Sequence, residues 1–145
     1  FGLPCTISNC SNNYGPNQHK EKFIPTILKS LIRGKKIPVY GQGSNIRDWI
    51  YVGDHCSAVW KILTEGKNGE TYNVGSNCEK TNLEVIEAIC EIMNLESSSC
   101  IEFVKDRLGH DFRYAINASK IRSELSWKPS CTFKHGLIKT IAHYA

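Results

Sequence analysis

The chain has 145 residues, of which 41% are apolar and 22% are charged, and its formal net charge is +4. This length and composition are typical of one ordinary globular domain with a hydrophobic core. No apolar run approaches the ~18 residues that a membrane-spanning helix requires. The basic residues are scattered along the chain rather than gathered with aromatic residues, so we expect neither a membrane nor a nucleic acid as partner.

The seven cysteines contain no Cys-x-x-Cys pair, and the two nearest in sequence, Cys5 and Cys10, are five residues apart. This spacing argues against a zinc site or a disulfide framework. We therefore expect no metal ligands, a reducing and thus cytoplasmic compartment, and cysteines that serve as small buried apolar side chains.

The first predicted strand, over residues 4–10, is followed by a polar segment over residues 11–17 with the composition of a loop. Ligands of open α/β sheets bind just beyond the carboxyl ends of strands. Asn12 and Asn13 carry donors and acceptors that could hold a phosphate or the amide of a cofactor. The alternative is an asparagine-rich turn, selected for its backbone geometry.

Helices and strands alternate along the rest of the chain, which favours an α/β fold. Thr81 and Glu84 have the spacing of a capping box, and Asp54 is expected to be the N-cap of its helix. The helix that begins at Asp54 is expected to turn Ala58, Val59, Ile62 and Leu63 toward the core. Helices are predicted over residues 22–33, 54–65, 82–93 and 133–144 and from residue 117, and further strands over residues 36–40, 70–74 and 101–104.

Residues 40–55 contain a Gly-x-Gly loop, followed by Arg47, Asp48 and Trp49. The planar guanidinium of arginine is well suited to grip two phosphate oxygens at once, so Arg47 is a candidate phosphate ligand. The alternative is a surface ion pair between Arg47 and Asp48, beside a tryptophan of the core.

Four motifs carry a resemblance to a known family. They are Asn-Cys-Ser-Asn-Asn-Tyr-Gly-Pro at 9–16, Arg-Asp-Trp-Ile-Tyr-Val at 47–52, Gly-Glu-Thr-Tyr-Asn-Val-Gly at 69–75 and Asp-Arg-Leu-Gly-His-Asp at 106–111. Together they resemble the nucleotide-sugar 4,6-dehydratases of the extended short-chain dehydrogenase/reductase superfamily, and most of all the enzymes that act on dTDP-glucose.

The resemblance implies the domain organisation. Residues 1–20 would end the NAD-binding Rossmann domain, and residues 21–145 would form mostly the mixed α/β sugar-nucleotide domain, with some segments returning to the first. The chain opens with Phe1 and lacks the superfamily's Gly-x-x-Gly-x-x-Gly and Tyr-x-x-x-Lys motifs. We therefore expect the C-terminal part of a longer protein, whose N-terminal Rossmann domain supplies the catalytic residues.

The resemblance also implies site residues, none of them catalytic. Asn12 and Arg47 would hold the diphosphate of the nucleotide sugar, and Asn13 would lie on the NAD side. We expect these three groups to converge on the pyrophosphate. The other implied substrate-binding residues are Lys22, Phe23, Pro38, Tyr40, Asn82, Asp106, Arg107 and His110.

The implied reaction uses bound NAD to convert dTDP-glucose to dTDP-4-keto-6-deoxyglucose. The sugar is oxidised at C4, loses water across C5 and C6, and regains the hydride at C6. The intact enzyme would be a homodimer, and the 145-residue chain alone is expected to give no turnover. The alternatives are a UDP-glucose 4,6-dehydratase, a UDP-sugar 4-epimerase or decarboxylase, and a non-catalytic nucleotide-binding module.

Overall fold

The computed structural model describes residues 2–144, so Phe1, on which part of the expectation of a longer protein rests, lies outside it. The helices are α1 (Phe23–Ile32), α2 (Val52–Glu65), α3 (Asn82–Ile92), α4 (Ser97–Cys100), α5 (Ser119–Leu125) and α6 (Phe133–Tyr144). The strands are β1 (Ile7–Cys10), β2 (Asn12–Tyr14), β3 (Ile37–Tyr40), β4 (Ile46–Tyr51), β5 (Thr71–Val74), β6 (Glu79–Thr81), β7 (Ile101–Val104) and β8 (Arg113–Tyr114).

The strands form three small sheets. β1 pairs with β5 in parallel, and β3 pairs with β7 in parallel. In the third sheet β4 is parallel to β2 and β8 and antiparallel to β6. The mixture of helices with mainly parallel strand pairs is the α/β architecture that the alternating pattern predicts.

β4 divides two hydrophobic cores, because successive side chains of a strand point to opposite faces of its sheet. Trp49 packs into a core with residues of α1, α3 and α6, such as Ile86 and Leu137. The next residue, Ile50, packs into a second core with α2, α5 and β5, which includes Tyr72 and Ile121. The helices that pack around Trp49 and those that pack around Ile50 therefore lie on opposite sides of β4.

The capping box at Thr81 and Glu84 is confirmed: Glu84 N donates to Thr81 Oγ1 at 3.1 Å, and Thr81 N donates to Glu84 Oε2 at 2.7 Å. The N-cap prediction for Asp54 is wrong. α2 begins two residues earlier, after Tyr51, and Asp54 lies in its first turn. The Asp54 carboxylate is only 4% exposed and accepts hydrogen bonds from the segment at Ser130 and Cys131.

Other departures from the sequence-based predictions also reflect tertiary contacts. Asn12–Tyr14, expected in a loop, form a strand because they pair with β4. On α2, Ala58 and Ile62 are buried as expected, whereas Val59 and Leu63 are 41% and 71% exposed. All seven cysteines are free thiols. Cys90 is buried, and Cys10 and Cys100 are partly buried against the two cores, whereas Cys5 and Cys56 are exposed, so the expectation of buried cysteines fails for these last two. Among residues 2–144 no helix has both the length and the apolar character needed to cross a bilayer.

Gly136 in α6 allows the helix to approach the buried ring of Tyr14. A Cβ at this position would lie 2.3 Å from Tyr14 Oη and 2.9 Å from Cζ. The ring cannot easily retreat, because it is 1% exposed and its hydroxyl donates to the Phe133 carbonyl at 3.1 Å. We expect Gly136→Ala to lower the free energy of unfolding by about 1–3 kcal/mol in denaturant titrations. The penalty should be smaller in a Tyr14→Phe background, and an equal penalty in both backgrounds would contradict this explanation.

Candidate functional site

A cavity of about 520 Å³ opens between α1, β3, β4 and the start of α3, a size typical of small-molecule sites. The loop that follows β7 also contributes to its wall. It brings together most of the substrate-binding residues that the resemblance implies. These lining residues are Asn12, Lys22, Phe23, Pro38, Tyr40, Arg47, Asn82, Arg107 and His110.

Strand register explains why Asn12 and Arg47 share this cavity. Asn12 lies opposite Trp49 in the parallel pairing of β2 with β4, so both point to the same face of the sheet. Arg47 precedes Trp49 by two residues and points to that face as well. Two donors from different strands are thereby directed into one cavity.

Asn13 does not line the cavity. It lies opposite Ile50, on the other face of the sheet, and its side-chain amide donates to Ser11 O at 3.1 Å and to Cys10 Sγ at 3.2 Å. The expectation that the two asparagines and Arg47 all converge on one hollow is therefore wrong for Asn13. The alternation of side chains along β2 separates the two amides onto opposite faces.

The Arg47 guanidinium is held by backbone carbonyls. Nη1 donates to Ile46 O at 2.7 Å, and Nη2 donates to Asp111 O at 2.9 Å. A guanidinium has five N–H donors, so three remain beyond these two for a ligand. The alternative of a surface ion pair is wrong, because Asp48 is 1% exposed and its Oδ1 accepts from Cys78 N at 2.7 Å.

The charge and shape of the cavity suit an anion attached to a ring. Lys22, Arg47 and Arg107 contribute three cations against one carboxylate, Glu21. Phe23 stacks on Trp49, with ring centroids 6.1 Å apart and planes at 25°. By contrast, the lining of a groove of about 500 Å³ along α3 includes four glutamates and one lysine, a net negative charge that would repel a diphosphate.

Of the three candidate ligand-binding residues in the loop from Asp106 to His110, two line the cavity. Arg107 and His110 line the cavity, whereas Asp106 does not. Instead, Asp106 Oδ1 lies 2.7 Å from His110 Nδ1 and accepts from Arg107 N at 2.8 Å. The hydrogen bond with His110 is the main cause that lowers the pKa of Asp106 below its usual value. Leu108, between them, is fully exposed.

Several lining residues were not identified from the sequence. Thr26 and Ile27 follow Phe23 at three and four residues, so they occupy the same face of α1, and this helical spacing could have revealed them. Glu21, Ile37, Val39 and Trp49 also line the cavity. Within residues 2–144, no group of three or more His, Cys, Asp or Glu side chains is arranged to hold a metal ion.

Comparison with known proteins places this cavity in a family context. A family model described as GDP-mannose 4,6 dehydratase matches residues 1–140. Curated dTDP-glucose 4,6-dehydratases from Escherichia coli and Haemophilus influenzae are 51% and 47% identical to the chain over 99% of its length. The chain spans only 42% and 46% of those two relatives.

Solved structures agree in fold. The dTDP-glucose 4,6-dehydratase of Bacillus anthracis in complex with NAD is 49% identical and superposes with a TM-score of 0.90, covering 96% of this chain and 44% of that one. The Streptomyces venezuelae enzyme, also solved with NAD, is 39% identical with a TM-score of 0.93, covering 99% and 44%. A UDP-glucose 4-epimerase from Thermotoga maritima, at 23% identity and a TM-score of 0.91, shows likeness of fold alone.

These neighbours confirm the α/β fold of the extended short-chain dehydrogenases/reductases. Nearly the whole chain lies within the match to one family model, and the cavity residues lie within that match. The chain belongs to the GDP-mannose 4,6-dehydratase family.

Proposed function

We propose that this chain is the nucleotide-sugar-binding part of an NAD-dependent 4,6-dehydratase that converts dTDP-glucose to dTDP-4-keto-6-deoxyglucose. The observation that carries the proposal is the shared cavity of Asn12 and Arg47, in a wall with two further cations. Relatives at 46–51% identity that are named dTDP-glucose 4,6-dehydratase support the choice of base and reaction.

Each cavity group has a task in this proposal. Arg47 and Asn12 bind the diphosphate from neighbouring strands, and Lys22 and Arg107 add positive charge at the cavity edge. The aromatic wall formed by Phe23 and Trp49 excludes water and offers a flat surface to the base or sugar ring. Fixing both ends of the diphosphate orients the sugar, which is the main catalytic contribution open to a binding segment.

The face of the sheet opposite the cavity fits a cofactor amide. Asn13 Oδ1 is buried and has no hydrogen-bond partner among residues 2–144, although its Nδ2 is engaged. An orphaned acceptor of this kind is costly unless a donor reaches it. Asn13 would hold NAD there, and the chemistry that NAD supplies when bound is reversible hydride transfer.

We also propose a domain boundary near residue 20, a homodimeric full-length protein and a cytoplasmic location. The division of the chain near residue 20 and the homodimer follow from the family resemblance. Limited proteolysis would test the division, and light scattering of the full-length protein would test the dimer. A cytoplasmic location is favoured by seven free thiols in so short a chain.

Product analysis tests the function. The full-length protein, incubated with dTDP-glucose and NAD, is expected to release a sugar lighter by one water, with a C4 ketone and a C6 methyl group in NMR spectra. The 145-residue chain alone is expected to give none, because it lacks a Tyr-x-x-x-Lys pair. Formation of a C4 epimer, or loss of carbon dioxide from a uronic acid substrate, would overturn the proposal.

The two adjacent asparagines provide a matched pair of variants. In the full-length protein, Asn12→Ala is expected to weaken dTDP binding by about 1.5–3 kcal/mol, the range for a hydrogen bond to a charged group. Asn13→Ala should leave dTDP affinity unchanged and lower the amount of NAD that copurifies, since it faces the other side of the sheet. Calorimetry and cofactor quantification measure the two effects, and equal loss of dTDP affinity in both variants would contradict the assignment.

A further inference from the structure

We propose that Asp106 is a positioning residue that acts through His110 and does not itself contact the nucleotide. The inference rests on the proposed function of the cavity and refines it, because the family resemblance placed both residues among the ligand contacts. It assigns them different tasks within one loop.

The geometry separates the two side chains. The imidazole of His110 lines the cavity, and its side chain is only 6% exposed. The Asp106 side chain is 46% exposed and does not line the cavity. Its Oδ1 lies 2.7 Å from His110 Nδ1. Nε2, the other ring nitrogen, has no hydrogen-bond partner among residues 2–144. The carboxylate thus occupies one nitrogen and leaves the other for a ligand.

The surroundings hold this pair in place. The backbone N–H of Arg107 donates to the same carboxylate oxygen at 2.8 Å, which restricts the rotation of the Asp106 side chain. Gly41, with a φ of +57°, leaves room for it, because a Cβ there would lie 3.1 Å from Asp106 Oδ2. On the cavity side, the rings of Tyr40 and His110 pack edge-to-face, with their centroids 6.4 Å apart. The imidazole is therefore held between an aromatic ring and a carboxylate.

A carboxylate that accepts from Nδ1–H fixes both the tautomer and the orientation of a histidine ring. With the proton on Nδ1, the Nε2 of the neutral ring is an acceptor for an N–H or O–H group of the ligand. Without Asp106 the imidazole would rotate and favour the Nε2–H tautomer of a free histidine side chain. The ring would then be present in the wall but no longer held ready for the ligand.

Nitrogen-15 NMR of the ligand-free full-length protein tests the pair directly, at a pH where the histidines are neutral. His110 is expected to carry its proton on Nδ1, and its signals are assigned by their loss in His110→Gln. Asp106→Ala should move the proton to Nε2, whereas Asp106→Asn, which keeps an acceptor oxygen, should retain it on Nδ1. Glu102→Gln, which alters an exposed carboxylate of β7, serves as the control. An identical tautomer in the protein with and without the Asp106 carboxylate overturns the inference.

Binding of dTDP to the full-length protein supplies a second readout. Asp106→Ala should weaken binding by about 2- to 10-fold, the effect of one hydrogen bond, and should add no further loss in a His110→Ala background. Equal, additive losses in both backgrounds would mean that Asp106 contacts the ligand itself, against the inference. If the wild-type protein binds no dTDP, the proposed function fails, and the NMR result still decides the role of Asp106.

Discussion

Replacing Arg47 by alanine is expected to weaken dTDP binding by about 1.5–3 kcal/mol, roughly 10- to 150-fold. Two of its five donors already hold the carbonyls of Ile46 and Asp111, so the guanidinium is fixed before any ligand arrives. A fixed side chain loses little rotamer freedom on binding, so more of its interaction energy appears as affinity. Isothermal titration calorimetry of the full-length protein measures the change.

Two further variants identify which property of Arg47 matters. Arg47→Lys keeps the charge but loses the planar fork, and we expect its affinity to lie between those of the wild type and Arg47→Ala. Arg33→Ala removes an exposed cation outside the cavity and should leave dTDP binding unchanged. Unchanged affinity in Arg47→Ala, with thermal unfolding equal to the wild type, would reject the diphosphate role.

The helices were the most predictable elements because the signals that specify them are local. The apolar spacing and Gly34 place α1 within one residue of its predicted bounds, and the capping box marks the start of α3. Burial along a helix was less predictable. Val59 and Leu63 continue the apolar face of α2 in sequence yet remain exposed, because neighbours in space, rather than spacing alone, decide which residues are covered.

The strands of two or three residues could not be predicted, because their stability comes from distant partners. Asn12–Tyr14 contain two residues of low strand propensity, and they become a strand only through pairing with Trp49–Tyr51. β8 has two residues and pairs with Ile46 and Arg47, more than sixty positions away. Such pairing between distant residues cannot be predicted from local composition.

The site residues came from the motifs, but their grouping depended on the fold. The family resemblance assigns Asn12 to the diphosphate and Asn13 to the NAD side. The expectation that both amides converge with Arg47 on the pyrophosphate is wrong because strand geometry places the two asparagines on opposite faces of the sheet. In the same way, Asp106 and His110 belong to one motif, and the loop directs only one of them into the cavity. Motifs identified the residues with useful chemistry, and the backbone decided which of them share a ligand.

Asp54→Ala is expected to lower the free energy of unfolding by about 2–4 kcal/mol. The buried carboxylate accepts from Ser130 N at 3.0 Å, Ser130 Oγ at 2.8 Å and Cys131 N at 3.0 Å, and its loss leaves these donors without partners. Asp54→Asn keeps one acceptor oxygen and should lose less. Glu65→Ala, which removes an exposed carboxylate at the other end of α2, should change stability by no more than about 0.5 kcal/mol. Denaturant titration measures all three variants.

Hydrogen exchange separates this role from that of a helix cap. If Asp54 capped α2, its loss would cost about 1 kcal/mol and would expose amides in the first turn of that helix. Because the carboxylate instead holds the segment before α6, Asp54→Ala should speed the exchange of the Ser130 and Cys131 amides relative to those of α2. Protection of these two amides at wild-type levels in Asp54→Ala would show that other contacts hold the segment. Faster exchange there would establish that one buried carboxylate joins α2 to the chain entering α6, the helix that packs on the core beneath the cavity.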